Sequence, residues 1–113
     1  MTRDYKDYVA DVIDAIEKVE FFTKGMSFEV FEKDTKTTFA VIRAFEIMGE
    51  AVKKIPSQVR HKNKNVPWKE MAGMRDKLIH EYFGIKPRVV WKTIKKDLPK
   101  IKPHLQAIFD ALS

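Results

Sequence analysis

Residues 34–56, DTKTTFAVIRAFEIMGEAVKKIP, decide the fold. Phe39, Val41, Ile42, Phe45, Ile47, Met48, Ala51, Val52 and Ile55 recur at helical spacing and wrap most of the circumference. That pattern predicts a helix buried on more than one side, which other helices must surround. Gly49 in its interior costs about 1 kcal/mol relative to alanine, and a close approach of a second helix would account for it.

The chain on either side supplies those neighbours. Over residues 3–23, Tyr5, Val9, Val12, Ile13, Ile16 and Val19 share one face, with Asp4, Asp7, Asp11, Asp14 and Lys18 on the other. Gly25 ends that helix, and Ser27 caps a short turn, SFEVFE. Beyond the central segment, residues 56–66 (PSQVRHKNKNV) form a short helical turn and a basic loop. Pro67 suits the first turn of a helix that runs to Gly84. Pro87 starts another, PRVVWKTIKKDL, with Val90, Trp91, Ile94 and Leu98 inward. Pro99 and Pro103 are expected at a junction with a last segment whose Ile101, Leu105, Ile108, Phe109 and Leu112 repeat at helical spacing. No alternating strand pattern and no repeat is visible. The expectation is all-α: one domain over residues 1–113, a compact bundle of four to five helices.

Composition agrees. At 113 residues, 44% apolar and 34% charged, the chain can bury one core, and it is not disordered in character. No apolar run could span a bilayer, and the N-terminus lacks a basic region followed by an apolar one. The absence of cysteine excludes disulfides and thiolate metal sites, and fits a cytoplasmic protein. The net charge of +6 is unevenly spread. Residues 1–50 hold 7 Lys/Arg against 11 Asp/Glu, a net of −4; residues 51–113 hold 15 against 5, a net of +10. A polyanion would dock on the second half, although lysines also solvate helix faces.

Within that half, residues 74–84 read MRDKLIHEYFG. At about 100° per residue, Arg75 and Tyr82 lie on nearly one line, while Asp76 and His80 form an i, i+4 pair offset from it. Two readings stay open: an amphipathic helix with a decorated surface, or polar heads aimed at a phosphate. The second has a definite chemistry. A neutral histidine, with a reference pKa of about 6.5, can take the proton from a 2′-hydroxyl. An arginine fork matches two phosphate oxygens and stabilises the charge that grows on them. A tyrosine hydroxyl can bond the same phosphate, and Asp76 could fix the imidazole tautomer. His61, His80 and His104 are scattered, without metal-ligand spacing, so neither a metal nor a cofactor is expected.

RDKLIHEYFGI reads as the R-x4-H-x-Y signature of the HEPN superfamily, and the whole chain resembles its small HepT-like members. The blocks that carry the resemblance are DYVADVIDAIEKVE, VIRAFEIMGEAVKKIP, VPWKEMAGMRDKLIHEYFGI and VVWKTIKKDLPKI. The resemblance implies a helical homodimer with two R-x4-H motifs facing across a cleft, acting as a metal-independent ribonuclease toxin. It further implies a minimal nucleotidyltransferase (MNT-type) antitoxin as partner, which in some systems adds AMP to the motif tyrosine. On this chain Arg75 and His80 would be catalytic, and Tyr82 the RNA contact and AMPylation site. The position after the arginine, often Asn in the family, is Asp76. Glu46 and Glu50 also match family positions; they could orient Arg75, or pair on the helix surface with Arg43 and Lys54. Arg60, Lys62 and Lys64, with Lys92, Lys95 and Lys96, would hold the RNA backbone without reading sequence. One histidine per chain does not readily serve as both base and acid, which is a physical reason to expect the dimer. The alternative is a non-catalytic, phosphate-binding subunit of the nucleotidyltransferase. No membrane association is expected.

Overall fold

The computed structural model describes residues 3–80 and 86–112, with the side chains of 75–80 outside the description. Helix α1 spans Tyr5–Thr23. Asp4 caps it by accepting from the Lys6 N–H at 3.1 Å, while the Asp7 carboxylate accepts from the Asp4 N–H at 3.1 Å. The helix turns off at Gly25, whose φ of +76° is a conformation that glycine adopts without strain. A short α2, Phe28–Lys33, follows under a Ser27 cap. Asp34 then closes α2 and opens α3, Thr35–Lys54, accepting from the Thr37 N–H at 3.0 Å.

The α3 helix is the centre of the bundle and packs against α1, α2 and α5. Val41, Ala44, Phe45, Met48, Gly49, Ala51 and Val52 are buried along it, as the spacing of 34–56 requires. Ile42 and Ile47 are only partly buried, and Phe39 is 53% exposed. Phe39 sits in the first turn of the helix, and periodicity alone cannot show where a helix outruns its neighbours. Helix α1 contributes Val9, Val12, Ile13, Ala15, Ile16 and Val19 to the same core.

Helix α4, Ser57–Lys62, leads through a tight loop into α5, Trp68–His80. Pro67 directly precedes α5, and its carbonyl accepts from the Met71 N–H at 3.0 Å. The expected stop at Gly84 lies outside the described residues.

The C-terminal segment differs from expectation. Helix α6, Pro87–Lys92, passes without a break through a π-helical turn at Thr93–Asp97 into α7, Leu98–Ala111. Pro99 and Pro103 therefore lie within helical structure and mark no junction. In the π turn the Leu98 N–H reaches the Thr93 carbonyl, five residues back. The extra residue widens the chain just where Pro99 would otherwise crowd the preceding turn. Pro103 still removes a bond, at a cost of about 3 kcal/mol. Burying Ile101, Leu105 and Ile108 outweighs it, at about 1.5–3 kcal/mol for each aliphatic side chain. Lys102 fastens α7 to α1, its ammonium 2.9 Å from Glu20 and 3.6 Å from Glu17. At the opposite end Trp91 packs between Phe28 and Phe31, joining α6 to α2.

The architecture is all-α: four long helical stretches, with α2 and α4 as short connectors. No helix among the described residues is long and apolar enough to cross a membrane.

Candidate phosphate-directed site

Helix α5 positions the motif, and its described residues fix the register. Met71 and Trp68 are buried at 8% and 7% exposure, and Met74 packs partly against the core. Lys69 and Glu70 are exposed. Position 75 is seven on from Trp68 and four from Met71, so it falls on the same helical face as those two. Positions 69, 73, 76 and 80, spaced by four, three and four, share the opposite face. Positions 75 and 80 therefore stand about 140° apart around the axis. The α5 backbone thus puts the expected arginine and histidine on different faces of one helix. Tyr82 lies outside the described residues, as do the side chains of Arg75, Asp76 and His80.

Beside the exposed face of α5 runs a groove of about 800 Å³. Arg60, His61 and Lys64 line it from α4 and the following loop, and Lys69, Ala72 and Gly73 from α5. Its shape is fixed by polar contacts of the loop that follows α4. The Trp68 indole N–H donates to the Asn63 carbonyl at 2.9 Å, and the Asn63 amide donates to the Val59 carbonyl at 2.8 Å. Val66 is buried beneath the loop, and Asn65 is held 2.7 Å from Nδ1 of His104 on α7. The Arg60 Nε is buried, with no hydrogen-bond partner among the described residues. Above Gly73 an added Cβ would meet no heavy atom within 4 Å, so the groove is open there to a close approach. Glu70 is the one acidic residue among the described lining residues.

A second cavity, about 430 Å³, opens on the core side of α5 among Phe45, Met48, Met71, Met74, Leu98 and Ile101. Among its described lining residues Glu70 and Asp97 stand against Lys100.

The six basic residues expected to carry RNA fall on separate elements. Arg60 and Lys62 lie on α4 and Lys64 on the next loop; Lys92, Lys95 and Lys96 lie on α6 and the π turn. Arg60 and Lys64 line the groove, whereas Lys95 stands 4.7 Å over the Trp91 ring. On α3, Glu46 is 3.8 Å from Arg43, the surface pairing that the sequence left open. Lys54, the other cation of that alternative, lies 5.5 Å over Tyr8. His61 was weighed in the sequence only as a metal ligand, and Lys69 and Gly73 were not singled out. The signal for the last two was the 69–73–76–80 spacing, legible only once α5 has a buried side.

An all-α bundle with a phosphate-suited R-x4-H motif on one helix and a basic groove beside it defines a class directed at nucleic acid or nucleotide. Comparison with known proteins makes this specific. The family model for HepT-like ribonucleases matches residues 12–108. The chain is 55% identical over 108 residues to the probable ribonuclease HepT of Thermococcus cleftensis, covering 96% of this chain and 98% of that one. It is 44% identical over 106 residues to a Methanocaldococcus jannaschii protein named provisionally as an RNase, covering 94% and 88%. A Caldanaerobacter subterraneus protein, also named provisionally as an RNase, is 47% identical over 103 residues, covering 91% and 92%. No solved structure matches significantly. The chain belongs to the HepT-like ribonuclease family.

Proposed function

We propose that this protein is an endoribonuclease, the toxin of a HEPN/MNT toxin–antitoxin pair, and that it cleaves RNA without a metal. The observation that carries the reading is the family match across residues 12–108, which contains the whole Arg75-x4-His80-x-Tyr82 motif. His80 takes the proton from a 2′-hydroxyl, and the resulting oxygen attacks the adjacent phosphorus. Arg75 holds the non-bridging oxygens as their charge grows. The P–O5′ bond breaks, leaving a 2′,3′-cyclic phosphate and a 5′-oxygen that must collect a proton. The histidine that accepted the 2′-hydroxyl proton lies on the attacking side, and a second, protonated His80 on the other side is the natural donor of a proton to the 5′-oxygen. A homodimer supplies it, and the 140° between positions 75 and 80 supports a cleft shared by two chains. Tyr82 contacts the phosphate and is the site where a nucleotidyltransferase antitoxin adds AMP.

The test is RNA cleavage in EDTA. Wild-type protein should cleave, and His80→Ala and Arg75→Ala should each abolish cleavage with an unchanged helical spectrum. Unimpaired cleavage by both variants removes the motif from catalysis. RNA binding without cleavage by the wild-type protein would favour the non-catalytic subunit.

A further inference from the structure

We infer that the groove between α4 and α5 is the channel along which the RNA backbone lies, delivering a phosphate to the face of α5 that carries position 80. The inference rests on the ribonuclease reading and goes beyond it by choosing one route among the basic surfaces. Three observations carry it. First, Arg60, His61, Lys64 and Lys69 converge on one concavity, where Glu70 is the one carboxylate among the described lining residues, a field suited to a chain of phosphates. Second, Arg60 itself lines the groove, and its guanidinium is a fork of donors that phosphate oxygens accept from. Third, the α5 wall of the groove is Ala72 and Gly73, with open space over Gly73, so a backbone can approach the helix closely. Lys69 and Gly73 share their helical face with positions 76 and 80, which gives the groove a direction. The α6 and π-turn lysines, with Lys95 over Trp91, lie away from this channel and outside the route.

The experiment measures binding of a single-stranded 2′-O-methyl RNA, which lacks the attacking hydroxyl, so that binding is read apart from cleavage. Lys64→Glu/Lys69→Glu should weaken binding about tenfold and lower the salt slope by about two. Gly73→Leu, which fills the groove without touching charge, should weaken it similarly. Lys24→Glu/Lys36→Glu, an equal charge change on the acidic half, sets the background. A groove pair no weaker than that background overturns the inference, as does an equal loss in Lys92→Glu/Lys96→Glu. Groove variants that bind and cleave like wild type remove the channel and leave the nuclease standing. A wild-type protein that binds through the groove yet cleaves no RNA keeps the channel and removes the nuclease.

Discussion

Gly73→Ala separates the backbone role of α5 from its chemistry. Gly73 sits in the interior of α5, well inside the ends of Trp68–His80. A methyl group there meets no heavy atom within 4 Å, so it adds neither clash nor packing. What remains is helix propensity and the narrower unfolded ensemble, together about 1 kcal/mol in favour of alanine. With an unfolding entropy of about 2.1 cal/mol/K per residue over 113 residues, that is a rise in Tm of about 4 °C. Thermal unfolding followed by circular dichroism at 222 nm measures it, with RNA cleavage assayed beside it. An unchanged or lower Tm would mean that something packs over Gly73, and the open groove would have to be abandoned. A stabilised variant with unchanged cleavage is the expected pair of results.

Other expectations follow from single contacts. Leu105→Ala, at a fully buried site on α7, should cost about 2–5 kcal/mol in a urea melt through the lost transfer energy and the cavity left behind. The Glu20 hydrogen bond raises the Lys102 amine above its ordinary 10.5, a shift that desolvation partly opposes and the charges of Glu20 and Glu17 support. The raised group is more readily protonated in the folded state, so its contribution is complete below pH 10.5 and fades as pH rises through the raised value. The stability gap between wild type and Lys102→Met should accordingly close in alkaline urea titrations. At Tyr82, incubation with a cognate nucleotidyltransferase and ATP should add mass in AMP units and suppress cleavage; silencing of Tyr82→Phe to the same extent would refute the modification.

The bundle was legible because helical periodicity reports burial directly. Residues 34–56 wrap their apolar positions around the helix, and α3 contacts α1, α2 and α5. The Ser27 cap and the Gly25 stop are local chemistry and were readable as such, whereas Asp4, the cap of α1, was read only as part of its polar face. Pro99 and Pro103 misled because proline's local rule was outweighed by tertiary burial and absorbed by a π turn, neither of which leaves a sequence mark. The site divides in the same way. The R-x4-H spacing shows which residue types are available, but their direction depends on which side of α5 is buried. That side is set by Trp68 and Met71 meeting residues remote in sequence, so the groove beside Gly73 stayed hidden until the fold was known.

The separation of positions 75 and 80 on α5 makes subunit mixing the sharpest test of the shared cleft. If base and acid are the two His80 side chains of one dimer, a single defective chain disables the cleavage event. Equal amounts of wild type and His80→Ala, unfolded together and refolded, give wild-type, mixed and mutant dimers in proportions of about one to two to one for a two-fold assembly. Only wild-type dimers cleave, so activity falls to about a quarter of that of the same total protein, all wild type. If each chain carries a complete site, every wild-type protomer counts, and activity falls only to about half. A mixture assembled without refolding, in which chains do not exchange, marks the half-activity level experimentally. Light scattering on the same samples fixes the stoichiometry against the 13.2 kDa chain. Half activity after refolding, or a monomer at assay concentration, would refute the two-histidine cleft. The proton for the 5′-oxygen would then have to come from within one chain or from water.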